Sequence, residues 1–274
     1  GTVTWQYYYP YGTSNNYPQN SYLLNLDSSG NVYCYGEYDS SANALFALKT
    51  NSSGTTQRTA AVGVSDSPIN LPPAYGTNSS SNAYFVYDAG STAPWIVTNT
   101  STFGLTLSGK LNGGTGKGIC YDSSGNFYVY GEDFVSSRWR TFIAKYNSSG
   151  TVQWIRDFYV SGQNTHTVNP ATPPYNCITT DGNNIYFCAY VDSSFTPNGF
   201  TIVCSLPCDG TKTGTYTVGS FSFVYAASST VTAASMTVTG PLNAGTPSAT
   251  SVAATTKSTF TTSSTSLTST VVSV

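Results

Sequence analysis

The strongest constraint in this chain is a pair of tight-turn sequences that recur in phase. Leu26 to Gln57 reads LDSSGNVYCYGEYDSSANALFALKTNSSGTTQ, and Tyr121 to Trp154 reads YDSSGNFYVYGEDFVSSRWRTFIAKYNSSGTVQW. Asp27 to Asp122 is a shift of 95 and Asn51 to Asn147 a shift of 96, so two periods of about 48 separate the copies. A degenerate copy, TNSSSNAYFVYDAG around Asn78, fills the gap, and DGNNIYFCAYVD from Asp181 supplies a fourth. The anchors 27, 78, 122 and 181 are 51, 44 and 59 apart, a variation that loop length absorbs.

Each unit reads as four strands: an apolar run, the DSSGN turn, an aromatic strand such as NFYVYG, a variable loop, a strand such as TFIAKY, the NSSGT turn and a last strand such as TVQWIRD. The Asp or Asn side chain of each turn accepts backbone N–H groups across it, and the Gly takes the positive φ that a short hairpin needs. No long segment has a helical period, and 22 Tyr with 25 Gly is a strand-and-turn vocabulary. Four-stranded units every 40 to 50 residues or so are the arithmetic of a propeller blade. The opening GTVTWQYY matches GTVQWIRD, the last strand of a unit, so the chain begins on an orphan strand. In a closed ring that strand would complete a blade supplied by the C-terminal side and seal its edges. A start on Gly1 within a strand reads as a processed product or the ordered part of a longer polypeptide.

The pattern DSSGNxYVxG, a loop, then FIAKYNSSGTVQW resembles the β-propeller repeats of bacterial extracellular proteins and of long virion proteins of tailed phages, particularly those of marine cyanobacteria. The resemblance spans Tyr22 to Gly219 and is strongest in the first and third units. It implies an all-β fold of propeller-like blades, each of four antiparallel strands. Residues 1–225 would form a propeller or partial propeller of four recognisable blades plus the orphan strand, and residues 226–274 an extended Ser/Thr-rich C-terminal segment. That segment also resembles the ends of phage structural proteins. Beyond Lys212 its only charge is Lys257, and from Val231 its only aromatic is Phe260, so it cannot build a core of its own. Order there has to come from backbone pairing with the propeller edge or with another chain.

Composition excludes several function classes. Only 8% of residues are charged and the net charge is −2, which gives no basic field for nucleic acid. No apolar run reaches the length of a membrane span. Six Cys without a CxxC pair do not suggest a zinc cluster, and Cys177 with Cys188 is the one pair placed for a disulfide. The single His, His166, lies in a Pro/Asn/Thr-rich stretch without a GxSxG elbow and reads as an exposed loop residue. Glu37 and Glu132, with Asp39 and Asp133 close by, are equivalent through repetition, and a structural or solvated role is expected for them. NSSGTVQW lacks the aspartate of a sialidase turn. No catalytic residue, metal or cofactor is expected.

The remaining candidates are loops on the face opposite the tight turns, including YYYPYGTSNNYPQNS, EYDSSANA, EDFVSSRWR and YVDSSFTPNGF, which look longer and more aromatic than the hairpins. Loops on a rigid scaffold carry binding function, which singles out Tyr8, Tyr11, Tyr38, Phe134, Trp139 and Phe195, against the alternative that these rings pack between blades. With the resemblance, this implies a non-enzymatic structural protein of a virion surface, such as a tail fibre, spike or capsid decoration, contacting host glycans or neighbouring subunits. The alternative is a cellular extracellular adhesin or filament subunit assembled by strand addition. A third class, a propeller hydrolase acting on glycans, has the least in the sequence to support it.

Overall fold

The computed structural model describes residues 7–8, 18–26, 29–38, 44–53, 55–64, 74–77, 82–86, 91–99, 105–167, 176–192, 199–236, 238–242 and 250–251. Among them every regular element is a β-strand, and all the pairings are antiparallel. After a short β1 (Tyr7–Tyr8), the first sheet is β2 (Pro18–Leu26), β3 (Val32–Tyr38), β4 (Ala44–Thr50) and β5 (Thr56–Val64) in chain order. The second repeats the plan with β6 (Ala74–Thr77), β7 (Asn82–Val86), β8 (Thr92–Asn99) and β9 (Leu105–Asn112). The third does so with β10 (Thr115–Tyr121), β11 (Phe127–Val135), β12 (Arg138–Tyr146) and β13 (Val152–Val160).

The fourth sheet departs from the plan. β14 (Asn164–His166) and β15 (Ile178–Thr180) lie end to end along one edge of β16 (Asn184–Asp192), and β17 (Phe200–Pro207) pairs with the other edge. Where a fourth strand would follow, the chain instead forms a hairpin, β18 (Gly214–Val218) and β19 (Phe221–Ala227), and β19 pairs with β13 of the third sheet. From there the chain retraces its path. β20 (Thr232–Ala234) pairs with β9, β21 (Val238–Leu242) with β5, and β22 (Thr250–Ser251) with β1. The described part of the neutral C-terminal segment thus pairs with edge strands of its own chain.

The turns work as their sequences imply. Asp122 Oδ1 accepts the N–H groups of Ser124 (2.9 Å) and Asn126 (3.0 Å), and Asn147 Oδ1 those of Ser149 (3.0 Å) and Thr151 (2.9 Å). Gly125 and Gly150 sit at φ of 79° and 78°. Asn51 makes the same cap in the first sheet, and in the shorter turn of the fourth Asp181 Oδ1 accepts the N–H groups of Asn183 and Asn184. Asn82 lines one cavity with Ser123, Gly125 and Ser148, so the turns of the second and third sheets share one end of the molecule.

Two cores hold the sheets face to face. Between the second and third, Trp95 meets Phe127 edge-on at 4.9 Å and Tyr146 at 4.8 Å, while Phe127 and Tyr146 stack at 4.9 Å. Between the third and fourth, Phe187 contacts Tyr130 and Phe158 at 5.5 and 5.1 Å. Each such aromatic pair adds about 0.5–1.5 kcal/mol beyond its area. The third sheet is therefore buried on both faces, which is why NFYVYG and TFIAKY are apolar on both sides of the pleat. No disulfide joins the six cysteines, so Cys177 and Cys188 are not bridged; the Cys188 N–H donates to the Cys177 carbonyl.

The glycine of the YVYGE strand is required by packing. A Cβ on Gly131 would lie 2.1 Å from the Thr115 carbonyl oxygen and 2.4 Å from the Phe142 ring. One contact is with backbone and cannot swing away, so Gly131→Ala has to push β10 from β11. The expected loss is about 2–3 kcal/mol in a urea-melt comparison with wild type, in the range of overpacked cores. An unchanged midpoint would mean that β10 yields freely.

Candidate functional site

The end of the third and fourth sheets opposite the tight turns gathers most of the buried polar side chains among the described residues. Glu132 and Asp133 close β11, Arg140 opens β12, Asp157 lies in the second half of β13, β14 carries Asn164 to His166, and Asp192 ends β16. His166 is not an exposed loop residue: it lies in a strand and is 3% accessible. Its Nδ1 is 3.5 Å from Glu132 Oε2, and its Nε2 is 3.9 Å from Asp192 Oδ2. A carboxylate from the third sheet and one from the fourth therefore flank a single imidazole.

Further bonds fix this array. The Thr167 N–H donates to Glu132 Oε2 (3.3 Å), and Lys117 Nζ lies 3.8 Å from Oε1. Asn164 Nδ2 donates to Asp192 Oδ1 (3.0 Å), while Asn164 Oδ1 accepts the Trp139 N–H (3.3 Å). Burial pushes the Glu132 carboxyl up, but the hydrogen bond to His166, the Lys117 charge and the Thr167 amide outweigh it and hold the group below its ordinary value. The arrangement holds one imidazole between two acids, is largely buried, and touches no serine or cysteine nucleophile among the described residues. Its evident work is to lock two sheets together where a lone charge would be costly.

A second acid pair lies beside it under the returning chain. The Thr230 hydroxyl donates to Asp133 Oδ2, and Arg140 Nη1 lies 4.0 Å from Asp157 Oδ2 with its guanidinium 4.2 Å over the Tyr159 ring. Burial raises the Asp133 carboxyl to about 6 against the Thr230 bond, and the neighbouring Asp157 charge adds to the rise. Asp157 is also raised, by burial first, against hydrogen bonds from Ser228 and Ser229. Three consecutive residues of the link between β19 and β20 thus cover both acids. Among the described residues no cluster of three or more His, Cys, Asp or Glu side chains is arranged to hold a metal.

Above this floor stand two of the aromatic candidates. EDFVSSRWR is not a long loop: β11 and β12 run through it, and only Ser136 and Ser137 form the turn. Both have positive φ, 50° and 62°, the geometry of a two-residue hairpin that Asn and Gly usually supply. Holding serines there costs on the order of 1–2 kcal/mol each. It sets Phe134 directly opposite Trp139, with ring centroids 5.2 Å apart. Trp139 in turn lies 5.6 Å from the His166 ring, and Phe134 is 56% exposed. Tyr38 pairs through its backbone with Pro18 and Ala44, and Tyr8 with Thr250, so neither joins this pair through its strand. Tyr11 and Phe195 lie outside the described residues, as does Asp39. Among the described residues no helix is long and apolar enough to cross a membrane.

Comparison with family models finds no match, and comparison with curated proteins finds none either.

The Asp133 shift has a measurable consequence. Its pKa in the folded chain lies above the ordinary carboxylate value, so the native state is favoured when the group is protonated, and that contribution is lost as pH rises from about 4 through about 6. Asp133→Asn keeps an acceptor for Thr230 without the charge. It should be more stable than wild type by about 1–2 kcal/mol at pH 8, with the difference vanishing near pH 4, as read from denaturant midpoints at the two pH values.

Proposed function

We propose that this chain is a non-enzymatic structural protein of a virion surface, a tail fibre, spike or capsid decoration, whose loop end contacts host glycans or neighbouring subunits. In this reading the four-stranded meanders are propeller-like blades of a domain spanning residues 1–225, and residues 226–274 tie the blades together from outside. Sheets packed face to face through aromatic layers support it, as does the resemblance of the turn repeats to virion proteins.

The observation that carries the contact role is the Phe134–Trp139 pair. An exposed Phe134 against a half-buried Trp139, on the strands flanking a two-residue turn and braced from below by buried polar groups, loses little entropy on binding and offers an apolar face to a sugar ring. The few charges suit neutral glycans better than charged polymers. The enclosed acids favour binding without turnover, because no carboxyl of the array is presented in an open cleft.

A glycan array probed with purified protein tests this. Wild type should retain a defined set of neutral glycans unchanged in mass. Phe134→Ala and Trp139→Ala should each weaken retention about tenfold, the effect of losing 1 to 1.5 kcal/mol or so of ring contact. Equal retention by the double variant, with its melting transition intact, would refute the contact role. Glycan cleavage would refute the non-enzymatic one.

A further inference from the structure

Asp133 and Asp157 are both buried, both short of hydrogen bonds and served by a single cation. Asp133 pairs in register with Arg140, and Asp157 with Phe142, two residues further along β12. Both carboxyls therefore project from one face of the third sheet, on either side of β12. Phe142 belongs to the core shared with the second sheet, which puts the acids in that interface. Each residue is 2% accessible, and Oδ1 of each is buried without a hydrogen-bond partner. Of the other two oxygens, Asp133 Oδ2 takes the Thr230 hydroxyl, and Asp157 Oδ2 has Arg140 Nη1 at 4.0 Å. Two acids that share one distant cation are costly to hold ionised out of water.

The charged groups acting on the two carboxyls are each other and Arg140. Every other element against them is neutral there. Ala226 of β19 pairs with Asp157, and the link contributes only Ser228, Ser229 and Thr230. The turn between β9 and β10 lies so close that a Cβ on Gly113 would be 2.5 Å from the Thr230 carbonyl oxygen. Lys110 alternates along β9 with Leu111, which is buried in the same core, so the lysine faces away from the acids. Glu132, next to Asp133 on β11, points to the opposite face, toward His166 and Lys117. The cover itself is thin: β20 makes three register pairs with β9, and Val231 and Met236 are the buried apolar residues that flank it. So short a strand pair is marginal without further fastening. Lifting residues 228–230 would give both carboxyls to water.

We propose that the acid pair makes this crossing a pH-sensitive latch: ionisation draws water under residues 228–230 and lets β20 part from β9, whereas protonation seals the cover. Under the cover Asp133 titrates near 6, because burial outweighs the Thr230 bond; with the cover lifted it returns to the ordinary carboxylate value. Opening is therefore not favoured by ionisation below about pH 4, becomes more favourable as pH rises through about 6, and levels off above it. For Asp133 alone the opening equilibrium should rise about fiftyfold between pH 4 and pH 7.5. The latch does not depend on the glycan-binding reading and fails or stands separately from it.

Amide hydrogen exchange on the full chain at pH 4 and pH 7.5, expressed as protection factors so that the intrinsic pH dependence divides out, tests it. In wild type the protection of Val231 to Ala234 should fall by tens of fold at the higher pH, while Phe142 to Ala144 in the middle of β12 keep theirs. Asp133→Asn should remove most of that fall, and the Asp133→Asn, Asp157→Asn double variant all of it. Protection of β20 that does not change with pH would overturn the proposal. So would a fall in the double variant as steep as in wild type, which would place the trigger elsewhere. A parallel loss in β12 would also overturn it, since the whole fold rather than the cover would then be opening.

Discussion

Backbone pairing along outer sheet edges is what the rest of this molecule depends on. A stack of antiparallel meanders leaves the last strand of every sheet with a row of unsatisfied N–H and C=O groups. The returning chain answers them one sheet at a time, β19 on β13, β20 on β9 and β21 on β5. Ladder bonds ask little of side chains, so β20 manages with Thr and Ala, whereas β19 also buries Tyr225 and packs Phe223 against Phe158. Where that chain crosses between sheets, Ser228, Ser229 and Thr230 are used instead as donors to buried acids, fastening the crossing to the end of the third sheet.

The third sheet gains most from this arrangement. Its two faces are filled by aromatic layers and its outer edge is covered by two further strands, so its upper end is a firm base. The ion network around His166 and the hairpin at Ser136 and Ser137 both rest on that base. A turn that holds two serines at positive φ persists only where flanking strands over-determine it, and here nine register pairs between β11 and β12 do so.

Much of the strand architecture was legible because the turns carry their own chemistry: Asp or Asn at the first position and Gly at the fourth specify caps that the structure forms at Asn51, Asp122 and Asn147. The hairpin through EDFVSSRWR was harder to read, since Asp133 and Arg140 interrupt the apolar alternation. They are cross-strand partners, and their burial is tolerated through Thr230, Asp157 and Tyr159, groups distant in sequence. His166 was misplaced for the same reason: the carboxylates that make its burial affordable come from β11 and β16. The return path was hard to read because its short strands pair one by one with sheets distant in sequence, and its few core side chains, Phe223, Tyr225 and Val231, are scattered along it.

The return path also has a temporal consequence. Val238 pairs with Val64 and Ala234 with Lys110, contacts that close only after most of the chain exists. During synthesis the first two sheets would wait with their outer edges bare until the C-terminal strands emerge, and such non-local closure is slow. Once made, the same strands have to peel off before the inner meanders can open, so unfolding starts against a clasp. A chain of this topology folds late and lets go late, and its endurance is governed by an unfolding rate more than by an equilibrium.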